Sequence, residues 1–369
     1  MNKRIVLIGP DYGDSNSFYG GGLGGYTRNM SLYLKEFKYS GIDIIPFFCS
    51  SRKKNDFNFI SFPLRFIRDV SGLTILLFKE RIDAIHILGQ YRSAILREVA
   101  WVLIGKVLRK RIVYEIKAGQ FAITSNNSRI HKSIASIIIK QSDLILVEGK
   151  NYLSYIRENY GRKAIYFPNV VALSEIPETQ NIMIKPKIKI LFVGFCHRVK
   201  GVYDIVNAIN SDRLSVPIRL ELLGEQSDSF SSWLIGHEKA DNVEIISYGS
   251  QPHDFVLERM KECNYYIYPS RHGGEGHNNS INEAMMNSLV IISSRAGFLG
   301  DVLEDCGYLL EGDSGFEEKI VIAIQDSINN PDKAIMYAKN ARRKIETVYN
   351  SHVQGEILGK HYSNILGLK

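Results

Sequence analysis

Residues 271–285 (RHGGEGHNNSINEAM) combine three glycines with two glutamates, Glu275 and Glu283, that have seven residues between them. The segment follows the apolar run Tyr265–Tyr268, so we expect a strand, a loop and then a helix. The backbone N–H groups at a helix start lack partners within the helix and bind phosphate readily. The two carboxylates would flank a bound diphosphate, where they serve better as acceptors for sugar hydroxyls than as phosphate ligands.

The helix start in this segment gives Glu283 a second explanation. Asn279 or Ser280 could cap the helix, because such side chains accept a hydrogen bond from its first N–H groups. Ser280-x-x-Glu283 also has the spacing of a capping box, in which the glutamate bonds the backbone at the helix start. Glu283 is therefore either a hydroxyl acceptor or a structural cap, whereas Glu275 has no evident structural role.

A second candidate anion site follows the apolar run Ile188–Val193. The sequence FVGFCHRVKG, residues 192–201, leads into a predicted helix and carries Arg198 and Lys200 at its start. Cations are poorly placed there for the helix dipole, so an anionic ligand would explain them. Solvated surface cations are the alternative interpretation.

A third candidate is the glycine-rich stretch YGGGLGGY, residues 19–26, after the predicted strand Arg4–Ile8. Five glycines in six residues let the backbone approach an anion closely, which favours a substrate loop over a plain turn. The stretch lacks the GxGxxG spacing and the clear acidic partner of a dinucleotide site. It also lacks the GK[ST] that completes a phosphate-binding P-loop.

Alternating short apolar runs and helical segments predict the elements that position these motifs. Strands are expected at 4–8, 42–48, 84–88, 112–116, 144–147, 188–193, 218–223, 243–247, 265–268 and 290–293. Repeated β-α-β units imply parallel sheets with helices on both faces, and ligands bind at the carboxyl ends of such strands. We therefore predict an α/β protein of two tandem doubly wound domains that face each other across a cleft.

The domain bounds follow from a break in this alternation. Residues 176–186 (IPETQNIMIKP) contain two prolines and little periodicity, which is typical of a linker. We predict a first domain over 1–175 and a second over 183–345. Residues 346–369 would form a terminal helix that packs back toward the first domain.

The composition of the chain excludes several classes of protein. With 369 residues, 45% of them hydrophobic and 23% charged, there is ample material for two cores, so a disordered chain is excluded. No apolar run approaches the roughly 20 residues that span a bilayer, and the apolar start is too short for a signal peptide. Four scattered cysteines without a CxxC pair argue against a disulfide framework or a zinc site.

The net charge of +7 is unevenly distributed, with +11 over residues 1–180 and −4 over residues 181–369. Such asymmetry indicates that the first half meets an anion: nucleic acid, a membrane surface or a phosphorylated substrate. Solvated surface charge is the alternative. Nucleic acid is disfavoured, because the aromatic residues lie mostly in strand-like runs rather than among the basic ones.

Two motifs together resemble glycosyltransferase family 4, retaining enzymes of the GT-B fold that use nucleotide-sugar donors. The first is FVG-x₅-KG at the start of the second domain, and the other is E-G-x-x-N-S-x-x-E-A-M over 275–285. The resemblance covers nearly the whole chain and implies two Rossmann-like domains. The Glu-x₇-Glu segment in its strand, turn and helix context is its most specific part.

The resemblance implies roles for individual residues. Glu275 would contact hydroxyls of the transferred sugar, and Glu283 would hold the donor ribose. Lys200 would bind the diphosphate and stabilise it as it leaves, and Arg198 would supply charge because Phe195 stands where the family usually has arginine. The remaining donor-binding positions implied are Gly24, Gly194, His277, Asn278, Asn279 and Ser280. Residues 115–120 occupy the region where the family often has a histidine that reaches the donor sugar. Lys117 is not given that role here; we expect it, with Tyr26, to contact acceptor or phosphate.

The implied reaction moves a hexose from a UDP- or GDP-sugar to a saccharide or lipid-diphosphate-linked acceptor, with retention of configuration. Bacterial polysaccharide or lipopolysaccharide O-antigen assembly is the implied setting. No cofactor is expected, and no metal either, because the chain has no Asp-x-Asp motif and no His/carboxylate cluster with metal-ligand spacing. A nucleotide-sugar epimerase of the same fold and a non-catalytic nucleotide-sugar-binding protein are the alternatives.

Basic residues interleaved with apolar ones in the first half indicate contact with an anionic membrane. The clusters are residues 52–54 and 106–111, together with Arg65 and Arg68 among Phe62, Leu64, Phe66 and Ile67. Such patterns suit an interfacial helix and a lipid-linked acceptor. We therefore expect a cytoplasmic, peripheral enzyme at the inner face of the plasma membrane.

Overall fold

The computed structural model describes residues 2–10, 22–49, 61–90, 92–178 and 187–368. Residues 19–21, the basic cluster 52–54 and most of the predicted linker lie outside these ranges. The chain forms two compact units. The first contains the first strand, Gly25–Pro168 and Ser351–Lys369, and the second contains Asn169–Asn350 together with residues 22–24 of the described chain.

The first unit is built on six parallel strands in the order β2-β1-β3-β4-β5-β6. Its strands are β1 Lys3–Pro10, β2 Ile42–Cys49, β3 Ala84–Gly89, β4 Arg111–Ile116, β5 Leu144–Val147 and β6 Ile165–Tyr166. Its first helices are α1 Gly22–Lys35, α2 Ser61–Lys79, α3 Ile95–Val107, α4 Phe121–Asn127, α5 Arg129–Gln141 and α6 Asn151–Tyr160. The central strands are nearly continuous apolar runs, as expected when helices cover both faces of a parallel sheet.

The second unit has the same architecture, with six parallel strands in the order β12-β11-β10-β7-β8-β9. The strands are β7 Ile188–Val193, β8 Ile218–Leu223, β9 Val243–Gly249, β10 Tyr265–Tyr268, β11 Val290–Ser294 and β12 Tyr308–Leu310. The helices are α7 Val202–Ile209, α8 Asp228–Ile235, α9 His253–Glu262, α10 Asn279–Met286, α11 Leu299–Leu303, α12 Phe316–Asn329 and α13 Pro331–Thr347. The chain winds in opposite directions from β7, toward β8 on one side and β10 on the other, so the ends of β7 and β10 flank the topological switch point.

The chain ends in the helix α14, Ser351–Leu366, which belongs to the first unit. The hydroxyl of Tyr362 lies 2.6 Å from Nδ1 of His86, a buried residue of β3. A Cβ added at Gly355 would lie 3.4 Å from the ring of Phe37, which shows how closely this helix approaches α1 and the turn after it. Packing of a small residue against an aromatic ring thus supports the helix.

The predicted fold class is confirmed, and every predicted strand is present. The short strands β6 and β12 and the helices α8 and α11 were not predicted, because segments of two to eight residues carry too few positions to show periodicity. The helical tail is interrupted at residues 348–350. None of the helices within the described ranges is long and apolar enough to cross a membrane.

Candidate active site

The turns that follow β7 and β10 pack against each other at the switch point of the second unit. A short 3₁₀ helix, Arg198–Lys200, follows β7 and ends at Gly201, whose φ of 76° suits glycine. A Cβ at Gly201 would lie 2.2 Å from the carbonyl oxygen of Pro269, so glycine alone permits this approach. The amide of Arg271 donates to the carbonyl of Val199 at 2.7 Å, which joins the two turns.

This packing brings together two of the predicted site residues, Lys200 and Glu275. The Lys200 ammonium forms an ion pair with Oε1 of Glu275. Ser270 donates its hydroxyl to the same oxygen at 2.6 Å. The Lys200 Nζ also lies 5.7 Å from the ring centre of Tyr268, so the cation stands between a carboxylate and an aromatic face.

The backbone of Glu275 is held by a turn that sequence reasoning did not single out. The amide of Phe298 donates to the Glu275 carbonyl at 3.1 Å. Gly297, with φ of 59°, precedes it, and a Cβ there would lie 2.1 Å from the same carbonyl oxygen. The Ala-Gly-Phe sequence after β11 was the available signal, since glycine before a buried aromatic residue often marks a close backbone approach.

The helix α10 begins differently from the prediction. Its N-cap is Asn278, whose Oδ1 accepts from the amide of Ser280 at 2.9 Å and from the Ser280 hydroxyl at 2.7 Å. Ser280 lies inside the helix, and its hydroxyl also pairs with Tyr266 at 2.6 Å. The expectation that Asn279 or Ser280 caps the helix is therefore wrong, because Asn278 has the extended backbone that a cap requires.

Glu283 does not form the capping box that its spacing allows. Its Oε1 lies 3.0 Å from Nε2 of His253, the first residue of α9. Glu283 is only 4% exposed, so the residue is buried within the second unit. His253 was missed by sequence reasoning, since nothing in the sequence shows that the start of α9 lies beside α10.

His277 and its neighbours form a buried polar network. Its Nε2 lies 2.9 Å from Oδ1 of Asn282, and its ring packs edge-on against Tyr349 at 4.8 Å. Asn169 joins this network, because its Nδ2 donates to the His277 carbonyl at 2.5 Å and its carbonyl accepts from Asn282 at 2.9 Å. These contacts fix the loop that leads into α10.

Arg198 and Gly194 lie in the same turn as Lys200 but make different contacts. The Arg198 guanidinium lies 4.7 Å from the ring centre of Tyr203, on α7. Gly194 directly follows β7 and has a φ of 152°. A Cβ on Gly224 would lie 2.0 Å from the carbonyl oxygen of Gly194. Phe195, which stands where the resembled family has arginine, is 40% exposed and stacks on His197.

Of the predicted residues of the first half, Tyr26 and Lys117 lie in the first unit, whereas Gly24 belongs to the second. Gly24 is in the first turn of α1, and the Tyr26 hydroxyl donates to the Gly89 carbonyl at 2.9 Å. Lys117 follows β4 directly, and its Nζ pairs with Oε1 of Glu115 at 2.6 Å. The side chain of Lys117 is only 3% exposed.

Glu115 is the centre of a fully buried charged network in the first unit. Tyr33 donates its hydroxyl to Oε2 at 2.5 Å, and Nε2 of His86 lies 3.2 Å from the same oxygen. Burial alone would raise the pKa of the Glu115 carboxyl. The Lys117 ammonium and the His86 imidazole outweigh that effect and hold the pKa at about 2. Burial and Glu115 raise the pKa of Tyr33 well above 10.0, so its hydroxyl remains a donor.

No cluster of three or more His, Cys, Asp or Glu side chains suited to a metal ion occurs in the described part of the chain. All four cysteines are free and buried, and burial raises the pKa of the Cys49 thiol to about 11.

Comparison with known proteins gives a family match over the second unit. Residues 176–344 match the model of the glycosyl transferases group 1 family. A curated relative, an uncharacterized glycosyltransferase of Methanocaldococcus jannaschii, is 28% identical over 233 residues. The match covers 59% of this chain and 58% of the relative, so the chain spans less than two thirds of that protein's length.

Solved structures extend the similarity to the whole fold. Sucrose-phosphate synthase from Thermosynechococcus elongatus superposes with a TM-score of 0.74, 17% identity and full coverage of both chains. Anabaena HepE in complex with UDP-glucose gives 0.67 at 12% identity, with 98% of this chain and 99% of that chain covered. WaaG, a glycosyltransferase involved in lipopolysaccharide biosynthesis, gives 0.61 at 13% identity, with 97% and 99% covered. The chain thus has the GT-B fold, two Rossmann-like domains.

Proposed function

We propose that the protein is a retaining glycosyltransferase that uses a nucleotide-diphosphate sugar, as in glycosyltransferase family 4. One observation carries the proposal: Lys200 and Glu275 meet beside the capped start of α10, at the switch point of the unit that matches the group 1 model. A cation, a sugar-hydroxyl acceptor and helix-end amides within one turn of each other suit a diphosphate sugar.

The donor diphosphate would bind at the start of α10, beside the amide of Asn279. The Ser280 amide would join it only by exchanging its bond to the Asn278 side chain for a phosphate oxygen. Lys200 would neutralise the charge that develops on the departing nucleoside diphosphate, and Arg198 would contribute from the same turn. Since these groups are held by Gly201 and by the turn around Ser270, they need little rearrangement during reaction. Preorganised charge of this kind is the largest rate contribution in many enzymes.

Glu275 and Glu283 would bind the two sugars of the donor. Glu275 is held by Ser270 and Lys200 and would accept a hydroxyl of the transferred hexose. Glu283 would accept the ribose hydroxyls, and its contact with His253 would hold the carboxylate in place. His277 and Gly194 would act through the backbone of their loops, which lead into α10 and the β7 turn.

Retention would follow from departure of the diphosphate on the face where the acceptor hydroxyl enters. The leaving phosphate would take the acceptor's proton, so no protein base is required. No metal ion enters this scheme, because Lys200, Arg198 and the helix-end amides supply the positive charge. Exclusion of water from the donor would protect it from hydrolysis.

The acceptor would be a saccharide, carried on a lipid diphosphate, and the first unit would receive it near Tyr26, with Gly24 close to the donor. Lys117, whose side chain is only 3% exposed, would support this region from within rather than contact the acceptor. The setting we propose is bacterial polysaccharide or lipopolysaccharide O-antigen assembly at the cytoplasmic face of the plasma membrane. Solved proteins of the same fold support it: WaaG is involved in lipopolysaccharide biosynthesis, and WaaB is a lipopolysaccharide outer core galactosyltransferase. A UDP-sugar is the first donor to test, because HepE binds UDP-glucose, and GDP-sugars follow.

A panel of UDP- and GDP-sugars tests the proposal through slow donor hydrolysis, read by mass spectrometry, and through thermal shift. At least one donor should be consumed and should raise the melting temperature. Glu275→Gln should lose turnover while it keeps nucleoside diphosphate affinity, and the exposed Glu238→Gln should behave as wild type. Interconversion of two nucleotide sugars without release of the diphosphate would indicate an epimerase. Binding without turnover of any donor would indicate a non-catalytic binding protein.

A further inference from the structure

The helices α2, α3 and α5 form a layer over one face of the first sheet. α3 packs between α2 and α5 and contacts β3 and β4, and α5 also contacts β4. The inner sides of these helices are buried, as a layer over a parallel sheet requires. The outer sides are therefore the surface of the first unit in this region.

The outer side of α2 carries exposed apolar side chains along its whole length. Leu64, Ile67, Ile75 and Phe78 are 52–73% exposed. At 3.6 residues per turn these four side chains fall within an arc of about 80°. The buried side of the same helix carries Asp69, so the usual amphipathic arrangement, with charge outside and hydrocarbon inside, is partly reversed.

The neighbouring helices continue this pattern. On α3 the exposed aliphatic residues are Leu96, Leu103 and Val107, spaced by seven and four residues. On α5 they are Ile130 and Ile137, spaced by seven. Spacings of four and seven residues place side chains on one face of a helix. Val107 is 80% exposed and Ile130 is 75% exposed, far more than their apolar side chains favour.

The same three helices expose no carboxylate, as far as their described residues extend. Their two acidic residues, Asp69 and Glu98, are buried. Asp69 pairs with Arg97 at 2.5 Å, and Glu98 accepts from the Tyr114 hydroxyl at 2.6 Å. The nearest acids beyond the helix ends, Glu80 and Asp143, are already in ion pairs with lysine or arginine. The exposed cations on these helices are Arg68, Lys79, Arg129, Lys132 and Lys140.

Helices of the second unit do not share this combination. Ile235, Ile322 and Met336 are exposed there, one each on α8, α12 and α13. Each of these three helices also carries acidic residues in its first turn. An apolar, basic and acid-free surface is thus a property of α2, α3 and α5, which we call the α2–α3–α5 face.

We propose that the α2–α3–α5 face docks on a bilayer that contains anionic lipids. Lysine and arginine gain from anionic headgroups, and the aliphatic and phenyl side chains between them gain from entering the headgroup boundary. A second copy of the chain fits the face poorly, because two acid-free basic surfaces would repel each other. The docking itself is independent of the reaction, but its use, bringing the site to a lipid-borne acceptor, rests on the proposed function.

Flotation of the full chain with vesicles tests the proposal. Vesicles of phosphatidylcholine mixed with phosphatidylglycerol should carry the protein upward, and added salt should weaken binding; phosphatidylcholine alone should bind it poorly. The triple variant Ile67→Ser/Ile75→Ser/Phe78→Ser should lose about tenfold or more in partitioning. Arg68→Gln/Lys79→Gln/Lys140→Gln should lose about tenfold or more on the anionic vesicles only.

A matched control removes exposed apolar side chains from the second unit. Ile235→Ser/Ile322→Ser/Met336→Ser should float as wild type does, because these residues are single exposed apolar side chains on helices that also carry acidic residues. All the altered side chains are solvent-exposed, so the variants should keep the wild-type melting temperature. Equal flotation of wild type and both α2–α3–α5 variants would overturn the proposal. A wild-type dimer in ultracentrifugation that the serine variant dissociates would assign the face to self-association and would overturn it too.

The two proposals fail separately. Donor hydrolysis is measured without vesicles, so the α2–α3–α5 variants should hydrolyse a soluble donor at the wild-type rate. If no nucleotide sugar is consumed but the anionic vesicles still bind, docking stands and the transferase proposal falls. If donors are consumed but vesicles do not bind, the reverse holds.

Discussion

Each unit contains one lysine–glutamate pair at the carboxyl ends of its central strands. In the first unit Glu115, on β4, pairs with Lys117 directly after it. In the second unit Glu275, after β10, pairs with Lys200, after β7. The two pairs use the same two charged groups, so differences between them arise from their surroundings.

Burial separates the two pairs. The side chains of Glu115 and Lys117 are 0% and 3% exposed, and the carboxylate is further bonded by Tyr33 and His86. In the second unit Lys200 is 22% exposed and Glu275 is 8% exposed, and the carboxylate has one short side-chain hydrogen bond besides the ion pair. A fully buried charge cannot be uncovered without a large desolvation cost, whereas a partly exposed one can exchange its partner for a ligand.

The comparison teaches that a strand-end lysine is not by itself a ligand-binding group. We interpret the Glu115 pair as a structural group that holds α14 to the sheet through His86 and Tyr362, and the Glu275 pair as the reactive one. The predictions below test this difference between the two pairs, from the largest expected effect to the smallest.

Glu115→Gln should destabilise the protein most, because it leaves the Lys117 ammonium buried without its counter-ion. Removing one partner of a buried pair costs about 3–5 kcal/mol. Urea unfolding measures the loss, and the exposed Glu158→Gln should change the free energy of unfolding little. A stability equal to wild type would show that the Glu115 network is not structural.

Lys200→Ala should lower turnover of the donor by about 10²–10³-fold, because the departing diphosphate loses its cation. The free energy of unfolding should fall by less than in Glu115→Gln, since Lys200 is partly exposed although its carboxylate partner is largely buried. Steady-state kinetics with the active donor and urea unfolding check the two halves of this expectation. Lys239→Ala, also on the surface of the second unit, is the control and should keep wild-type kinetics. If Lys200→Ala lost stability but kept turnover, the Glu275 pair would be the structural one.

The stability that Glu115 provides should vanish in acid. Its pKa is lowered from 4.5 to about 2, so the folded state favours the carboxylate, and that stabilisation is complete above pH 4.5. It is lost as the pH falls from about 4.5 through about 2. The difference in unfolding free energy between wild type and Glu115→Gln should shrink over this window. A constant difference across the window would mean that Glu115 is not ionised in the folded protein.

Tyr362→Phe should have the smallest effect, about 1–3 kcal/mol, because it removes only the hydroxyl at 2.6 Å from His86 Nδ1. In this variant, hydrogen exchange should increase more in α14 than elsewhere in the first unit. Tyr155→Phe removes a hydroxyl that bonds Asn126 near the surface and should cost less. Uniform exchange across the unit would indicate that Tyr362 does not anchor α14 specifically.

Much of the fold and part of the site were predictable from the sequence. Apolar runs such as Ile218–Leu223 are too short and too uniform for helices, and their alternation with helical segments predicts the two parallel sheets. The glycines and charged residues in the turns after β7 and β10 indicated Lys200 and Glu275 as candidate site residues. Their positions at strand ends follow from the parallel topology alone.

The remaining site features depend on contacts that local sequence does not encode. Asn278, Asn279 and Ser280 are all good caps, and only the backbone conformation at Asn278 decides among them. His253 meets Glu283 because α9 packs beside α10, thirty residues further along the chain. The α2–α3–α5 face was partly predicted from Arg65, Arg68, Leu64 and Ile67, but the parts from α3 and α5 depend on which helix sides the sheet buries.

The sequence by itself determined two doubly wound α/β domains, the charge difference between the halves and the position of the candidate anion-binding turns. The tertiary structure alone decided which lysine is buried with its partner and which is accessible. Propensity and periodicity act over a few residues, whereas burial and ion pairing depend on elements far apart in the chain. Lys200 and Glu275 are 75 residues apart, and only the adjacency of β7 and β10 makes them neighbours.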